Sequence, residues 1–316
     1  MGVWDNPIME LLPRNYNENN EVQKRLEIFA DSLYKLANVG THIVNEILKN
    51  KTLENHDISI IMLLRNHIEI IDGIAELTKV SSINNVERLN RILFESFLYI
   101  KYILEKDTER RGKSYYYYYL LDVLKWLNRV KNNTTENIYL QGLIKQDVVL
   151  SNYTLPSFKS IDSEITTAKV NIDKPIFSEV KTEYESQSKK HRGQWYSLFG
   201  GPSNIKELAE NLKMPALYEI IYRYGSKKMH SSDAVKDISY SDNGALISQL
   251  RQPGGANTTT MYCFFYTISI YRQIVKCFSI EDKVIESYYS SIKKYYLEDL
   301  PNMIIFSSKG SECGSS

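Results

Sequence analysis

The chain has 316 residues, 43% hydrophobic and 24% charged, with a formal net charge of +1. That composition belongs to a folded globular protein long enough to bury a core without disulfides or metals, and it excludes wholesale disorder. The near-zero charge excludes the broad basic field of a protein that grips many phosphates, so any nucleic-acid contact must be local.

Residues 1–18 read as an N-terminal extension whose acidic residues and lack of a basic, apolar, small-residue order do not fit a signal peptide. The region 19–131 reads as a helical bundle. In "EVQKRLEIFADSLYKLANVGTHIVNEILKN" the apolar residues Leu26, Phe29, Leu33, Leu36, Val39, Ile43 and Ile47 recur at threes and fours, the period of an amphipathic helix. A second helix follows in "DISIIMLLRNHIEIIDGIAELTKV", with Asp57 as its expected N-cap, and a third in "NNVERLNRILFESFLYIKYILEK". Each is too apolar on one side to stand alone, so the three must pack together. The tyrosine run of "KSYYYYYLLDVLKWLNRV" also satisfies strand propensity, but the length of the segment favours a fourth helix.

From 132 to 202 the periodicity fades into Asn, Thr, Ser and Pro, and the segment reads as a loop-rich insert with one short helix at "PIFSEVKTEYESQSKK". Within it "ENIYLQG", residues 136–142, fits the E-x-x-Y-x-Q-G pattern cut by a potyviral protease, and as a loop it would be open to nicking. A C-terminal helical half, 203–299, begins at "SNIKELAENL", where Asn204 and Glu207 have capping-box spacing, and continues at "PALYEIIYRYGSKKMH", with Pro215 at the first helical position. "QPGGANTTTMYCFFYTISIY" is free of charge but half polar and too short in its apolar centre to span a bilayer, so it reads as a loop entering a buried helix. A last amphipathic helix lies in "SIEDKVIESYYSSIKKYYLEDL", and 300–316 reads as a flexible tail. The fold class is therefore all-α, a multi-helix bundle in a single globular unit with a loop-rich central insert.

Cys263, Cys277 and Cys313 are too few and scattered for a disulfide framework, which fits a reduced, cytoplasmic setting with no membrane segment. Neither HExxH nor paired ExxH occurs, and "FGGPSN" lacks the lysine of a phosphate-binding loop, so no metal or cofactor is expected. His67, on a helix as apolar as the second, reads as a hydrogen-bonded core histidine rather than a ligand.

The chemistry concentrates in "YEIIYRYGSKKMHSSD", residues 218–233. Glu219, Arg223, Ser226 and His230 fall within a stripe of roughly 60° if one helix of 3.6-residue period runs through Gly225. A helix ending at Gly225 would scatter them. Glu219 and Arg223 would then be an ordinary i, i+4 ion pair, with His230 capping a carbonyl. Arg91 and Glu95, also four apart, sit among Ile92, Leu93, Phe94 and Phe97. A charge pair in so apolar a segment needs further hydrogen-bond partners, which Ser226 or His230 could supply.

The spacing of Arg223 and His230 resembles the R-x4-6-H signature of HEPN ribonucleases, small helical-bundle proteins of toxin and phage-defence systems. The blocks "RILFESFLYIKYIL" (91–104), "GQWYSLFGGPSNIKELAENL" (193–212) and "YEIIYRYGSKKMHSS" (218–232) together resemble an uncharacterised bacterial helical domain family whose recurring polar residues would here be Arg91, Glu95, Ser226 and His230. The first resemblance implies metal-independent RNA cleavage with His230 and Arg223 as catalytic residues. Arg91, Glu95, Glu219 and Ser226 would form the supporting polar network. It also implies RNA and an activating or regulatory protein as partners, and a homodimer with the site at its interface. The alternative is a non-catalytic helical module that binds a partner protein or small ligand and uses the same residues as a latch.

Overall fold

The computed structural model describes residues 20–155, 159–187, 193–223, 225, 234–241, 244–247, 250–281 and 283–294. The expected N-terminal extension and the C-terminal tail lie outside them. The described fold is all-α in class. Its helices are α1 (Asn20–Asn50), α2 (Asn55–Lys79), α3 (Ile83–Glu105), α4 (Thr108–Val130), α5 (Thr135–Gln146), α6 (Ile161–Ile172), α7 (Ser178–Ser186), α8 (Ile205–Asn211), α9 (Pro215–Leu217), α10 (Ala256–Cys277) and α11 (Lys283–Lys294). One antiparallel hairpin, β1 (Ile238–Ser241) with β2 (Gly244–Ile247), pairs Ile238 with Ile247. Its strands are four residues each, and Tyr240 and Ile247 are exposed.

The chain divides into two compact units. One takes the described residues up to Thr52, Ile61–Leu104 and those from Leu212 on; the other takes Leu53–Ile60 and Glu105–Asn211. In the first unit the apolar stripe of α1 is buried as its period demands, with Leu26, Phe29, Leu33, Leu36 and Ile43 fully inside. Each such side chain contributes about 1.5–3 kcal/mol of burial. Helix α10 buries more than one stripe, including Cys263, Phe264, Tyr266, Ile270, Tyr271 and Ile274. Gly40 lets α1 approach it closely: a Cβ there would overlap the Tyr271 hydroxyl and come 2.7 Å from Ile68 Cγ1. That hydroxyl donates to the Leu36 carbonyl at 3.0 Å.

Three polar bonds tie this core together. Cys263 Sγ donates to Asn90 Oδ1 at 3.2 Å, joining α10 to α3. The ring nitrogens of His67, on α2, lie 3.2 Å from Ser96 Oγ on α3 and 3.1 Å from Thr267 Oγ1 on α10. Both hydroxyls can donate or accept, so a neutral ring is satisfied in either tautomer. Burial alone pushes the imidazole pKa down to about 3. His67 is thus a core histidine bonded on both sides.

Asp57 is not the N-cap of α2. It sits in the first turn, and its Oδ2 accepts from the Glu54 backbone N–H at 3.0 Å, the back-reaching half of a capping box. The capping geometry at α8 is met: Asn204 Oδ1 accepts from Glu207 N at 3.0 Å, and Glu207 Oε2 accepts from Ser203 N at 2.8 Å.

The second unit is built on α4, where the tyrosine run is helical. Tyr117, Leu120, Ile172, Phe177, Val180 and Leu198 form its core, drawn from α4, α6, α7 and the 3-10 turns Pro175–Phe177 and Trp195–Gly200. The segment expected to be a loop-rich insert therefore carries α5, α6 and α7, and "ENIYLQG" lies in α5 rather than in a loop. Thr134 caps α5 by accepting from Asn137 N.

Candidate functional site

Arg91 and Glu95 stand one turn apart on α3, at the edge of the face that buries Asn90, Leu93, Phe94 and Phe97. Arg91 Nη2 lies 3.6 Å from Glu95 Oε1, with the side chains 15% and 29% exposed. The additional partner demanded by an ion pair in apolar surroundings is Tyr222. The same Nη2 donates to the Tyr222 hydroxyl at 2.8 Å, and the guanidinium carbon lies 4.3 Å from the centre of its ring. Tyr222 stacks on Tyr218 at 5.3 Å between centroids and meets Phe94 at 6.4 Å. Burial first, and then the negative charge of Glu95, raise the Tyr222 hydroxyl above its ordinary pKa, with Arg91 opposing. The phenol is therefore neutral at physiological pH and accepts from Arg91.

Gly225 brings the chain against this pair. A Cβ at Gly225 would lie 3.3 Å from Arg91 Cβ and 3.8 Å from the Glu87 carbonyl, so the backbone packs on α3 where a larger side chain would crowd it. Arg91 Nε is buried and has no acceptor among the described residues. A half-desolvated guanidinium with an unspent donor is suited to an anionic group.

Glu219 and Arg223 do not join this cluster. Arg223 Nη1 donates to Glu219 Oε2 at 2.8 Å on the surface, with side chains 69% and 46% exposed, and the carboxylate raises the arginine pKa. The stripe expected for 219, 223, 226 and 230 assumed a 3.6-residue period, but Tyr218–Arg223 is a π-helical turn, whose wider winding changes the azimuth of each residue. Ser226 and His230 lie outside the described residues. Tyr222 is the participant that sequence reasoning missed. Its one signal was the i, i+4 spacing from Tyr218, which gives no hint of an arginine 131 positions away. Among the described residues no group of three His, Cys, Asp or Glu side chains is placed to hold a metal ion, and no helix is long and apolar enough to cross a membrane.

Residues 56–245 match DUF5677, a family of unknown function. The chain belongs to that family. The DUF5677 match runs from α2 through β2, so it takes in Arg91, Glu95, Tyr222 and the positions of Ser226 and His230. The partners Cys263 and Thr267 on α10 fall beyond it. No curated protein and no solved structure matches the chain.

Proposed function

We propose that this DUF5677 protein is a metal-independent ribonuclease of the HEPN type, a toxin-like effector of the kind used in phage defence, with Arg91 rather than Arg223 as its phosphate clamp. The observation that carries the reading is the half-buried Arg91 guanidinium. It is oriented by Glu95 and Tyr222, it keeps Nε unspent among the described residues, and Gly225 packs on it immediately before Ser226 in the chain. Arg223, exposed and neutralised by Glu219, is the weaker candidate for that role.

In the proposed reaction the RNA 2′-oxygen forms a bond to phosphorus as the bond from phosphorus to the 5′-oxygen breaks. His230 takes the 2′-hydroxyl proton and returns it to the departing 5′-oxygen, leaving a 2′,3′-cyclic phosphate and a free 5′-hydroxyl. Arg91 stabilises the charge that builds on the phosphoryl oxygens, worth most in a water-poor site. Glu95 and Tyr222 act through Arg91 by fixing its plane. RNA is the substrate, and an activating protein is the expected regulator.

A non-catalytic module that binds a protein or small ligand is the second reading. It is favoured by the same bond seen the other way: Arg91 ties the Tyr218–Arg223 turn to α3, as a latch would. The two separate in a cleavage assay on total RNA and tRNA run in EDTA alongside thermal melts. Arg91→Ala and His230→Ala are expected to abolish cleavage, His230→Ala with its melting temperature nearly unchanged, while Arg223→Ala retains most activity. Wild type that stays inert with an activating partner supplied, and an Arg91→Ala variant that only melts earlier, would leave the binding module as the better account.

A further inference from the structure

Tyr222 links Arg91 to a second flat ring. The guanidinium carbon lies 4.3 Å from the centre of the Tyr222 ring, and Tyr218 stacks on that ring at 5.3 Å between centroids with 22° between the planes. Tyr222 also meets the fully buried Phe94, so the inner ring of the pair is anchored on α3. Tyr218 is half-buried and has no second ring or cation stacked on it among the described residues. Its neighbours Glu219 and Ile220 are exposed, so the pair stands at the surface. The acid there is already matched: Glu219 Oε2 accepts from Arg223 at 2.8 Å, which removes the bare negative charge that would repel a phosphate chain. A π-helical turn such as Tyr218–Arg223 departs from regular helix geometry, and such turns occur frequently at functional sites.

We propose that Tyr218 is a base-stacking platform beside the Arg91 phosphate clamp, so that the site takes RNA as an unpaired strand. The inference rests on the reading of Arg91 as the clamp and adds to it the form of the RNA and the residue that selects it. The Tyr218 ring is no further from the guanidinium than the two separations above combined, so a strand with a phosphate on Arg91 reaches it within a few nucleotides at about 3.4 Å per stacked residue. In a duplex each base is paired and stacked on both sides, and it must be extruded before it can lie on a protein ring. An unpaired base avoids most of that cost. Every base has a π-face, so the platform selects strandedness rather than sequence.

The test is fluorescence anisotropy of the full chain with a labelled single-stranded oligodeoxynucleotide, which lacks the 2′-hydroxyl and so binds without being cleaved, alongside the same sequence as a duplex. Wild type should bind the strand at least tenfold more tightly than the duplex. Tyr218→Leu should weaken strand binding about tenfold through the loss of one stacked base, while Tyr218→Phe, which keeps the ring, should bind as wild type does. The loss in Tyr218→Leu should be the same at low and high salt, whereas the loss in Arg91→Ala should shrink as salt rises, because only the phosphate contact releases counterions. Abasic sites walked along the strand decide the matter on wild type should Tyr218→Leu fail to fold: one position should cost about tenfold. Wild type that binds strand and duplex equally, or binds no strand, or gives a flat abasic scan would overturn the proposal. The nuclease reading fails separately. Strand binding that depends on Tyr218 while total RNA stays uncleaved overturns cleavage and keeps the platform, and cleavage of unpaired RNA unchanged in Tyr218→Leu overturns the platform and keeps the nuclease.

Discussion

His67 gives the sharpest test of the helical core, because its burial makes stability depend on pH in a calculable way. An unfolded chain titrates this imidazole near its ordinary value of about 6.5, whereas the buried ring titrates at about 3. Between those values the unfolded state binds more protons, so stability rises with pH. The contribution is fully present above about pH 6.5 and is lost as pH falls towards the folded value. The loss is about 1.4 kcal/mol per pH unit, or about 2 kcal/mol between pH 7 and pH 5, once the small fraction already titrating near neutrality is counted. The control is His67→Gln, whose amide can still donate to one of Ser96 and Thr267 and accept from the other but has no proton to gain. Calorimetric melts of both proteins share the acid effects of every carboxylate and of the other histidines. Their difference isolates His67. The gap between wild type and variant should move by about 2 kcal/mol, roughly 3 °C for a chain of 316 residues, as pH drops from about 7 to about 5. Parallel pH dependences would show that the ring is not held neutral between α2, α3 and α10.

Tyr222→Phe removes the hydroxyl that accepts from Arg91 and should cost about 1 kcal/mol in chemical denaturation, whereas Arg223→Ala should leave the melting temperature unchanged because its pair with Glu219 is exposed. An equal loss in both variants would contradict the division between the α3 cluster and the surface pair. The potyviral protease should leave the folded chain intact, since "ENIYLQG" is wound into the capped helix α5 and must unwind to be read. A native-state digest yielding fragments cut after Gln141 would show that α5 opens readily.

The parts of this molecule that were legible in the sequence are those where burial and period coincide. The α1 stripe, the Arg91–Glu95 spacing on an apolar helix and the core character of His67 all followed from which residue types recur on one side of a 3.6-residue turn. The second unit was harder to read, because α6 buries only Ile165, Ala168 and Ile172 and α7 only Val180. Helices so sparsely apolar give a faint periodic signal and owe their stability to docking on α4. The α5 face misled for a different reason: its apolar residues lie on the exposed side, so its pattern did not mark a core. The link between Arg91 and Tyr222 was invisible because nothing local encodes it, and the π-helical turn at Tyr218–Arg223 broke the one periodic rule from which the four-residue stripe had been drawn.

Helix α3 explains why the candidate site can be probed without dismantling the fold. Its inward residues are committed on several sides. Asn90 receives Cys263, Ser96 meets His67, and Phe94 and Phe97 pack on Tyr266 at 5.6 and 4.9 Å between ring centres. Arg91 and Glu95 sit on the same rigid rod but at the edge of that face, so their backbone positions are fixed by bonds they do not themselves make. The surrounding core, rather than the donor's own bonds, maintains the place of such a side chain, and the rest of the fold carries the desolvation cost of its unspent donor. Changes at Arg91, Glu95 and Tyr222 should therefore register first in whatever the site binds or cleaves and only secondarily in stability. Changes one position away at Asn90 or Ser96 should do the reverse. Comparing Glu95→Gln with Ser96→Ala in both the melt and the RNA-cleavage assay tests that separation, and a stability loss at Glu95 as large as that at Ser96 would show that the ion pair belongs to the core.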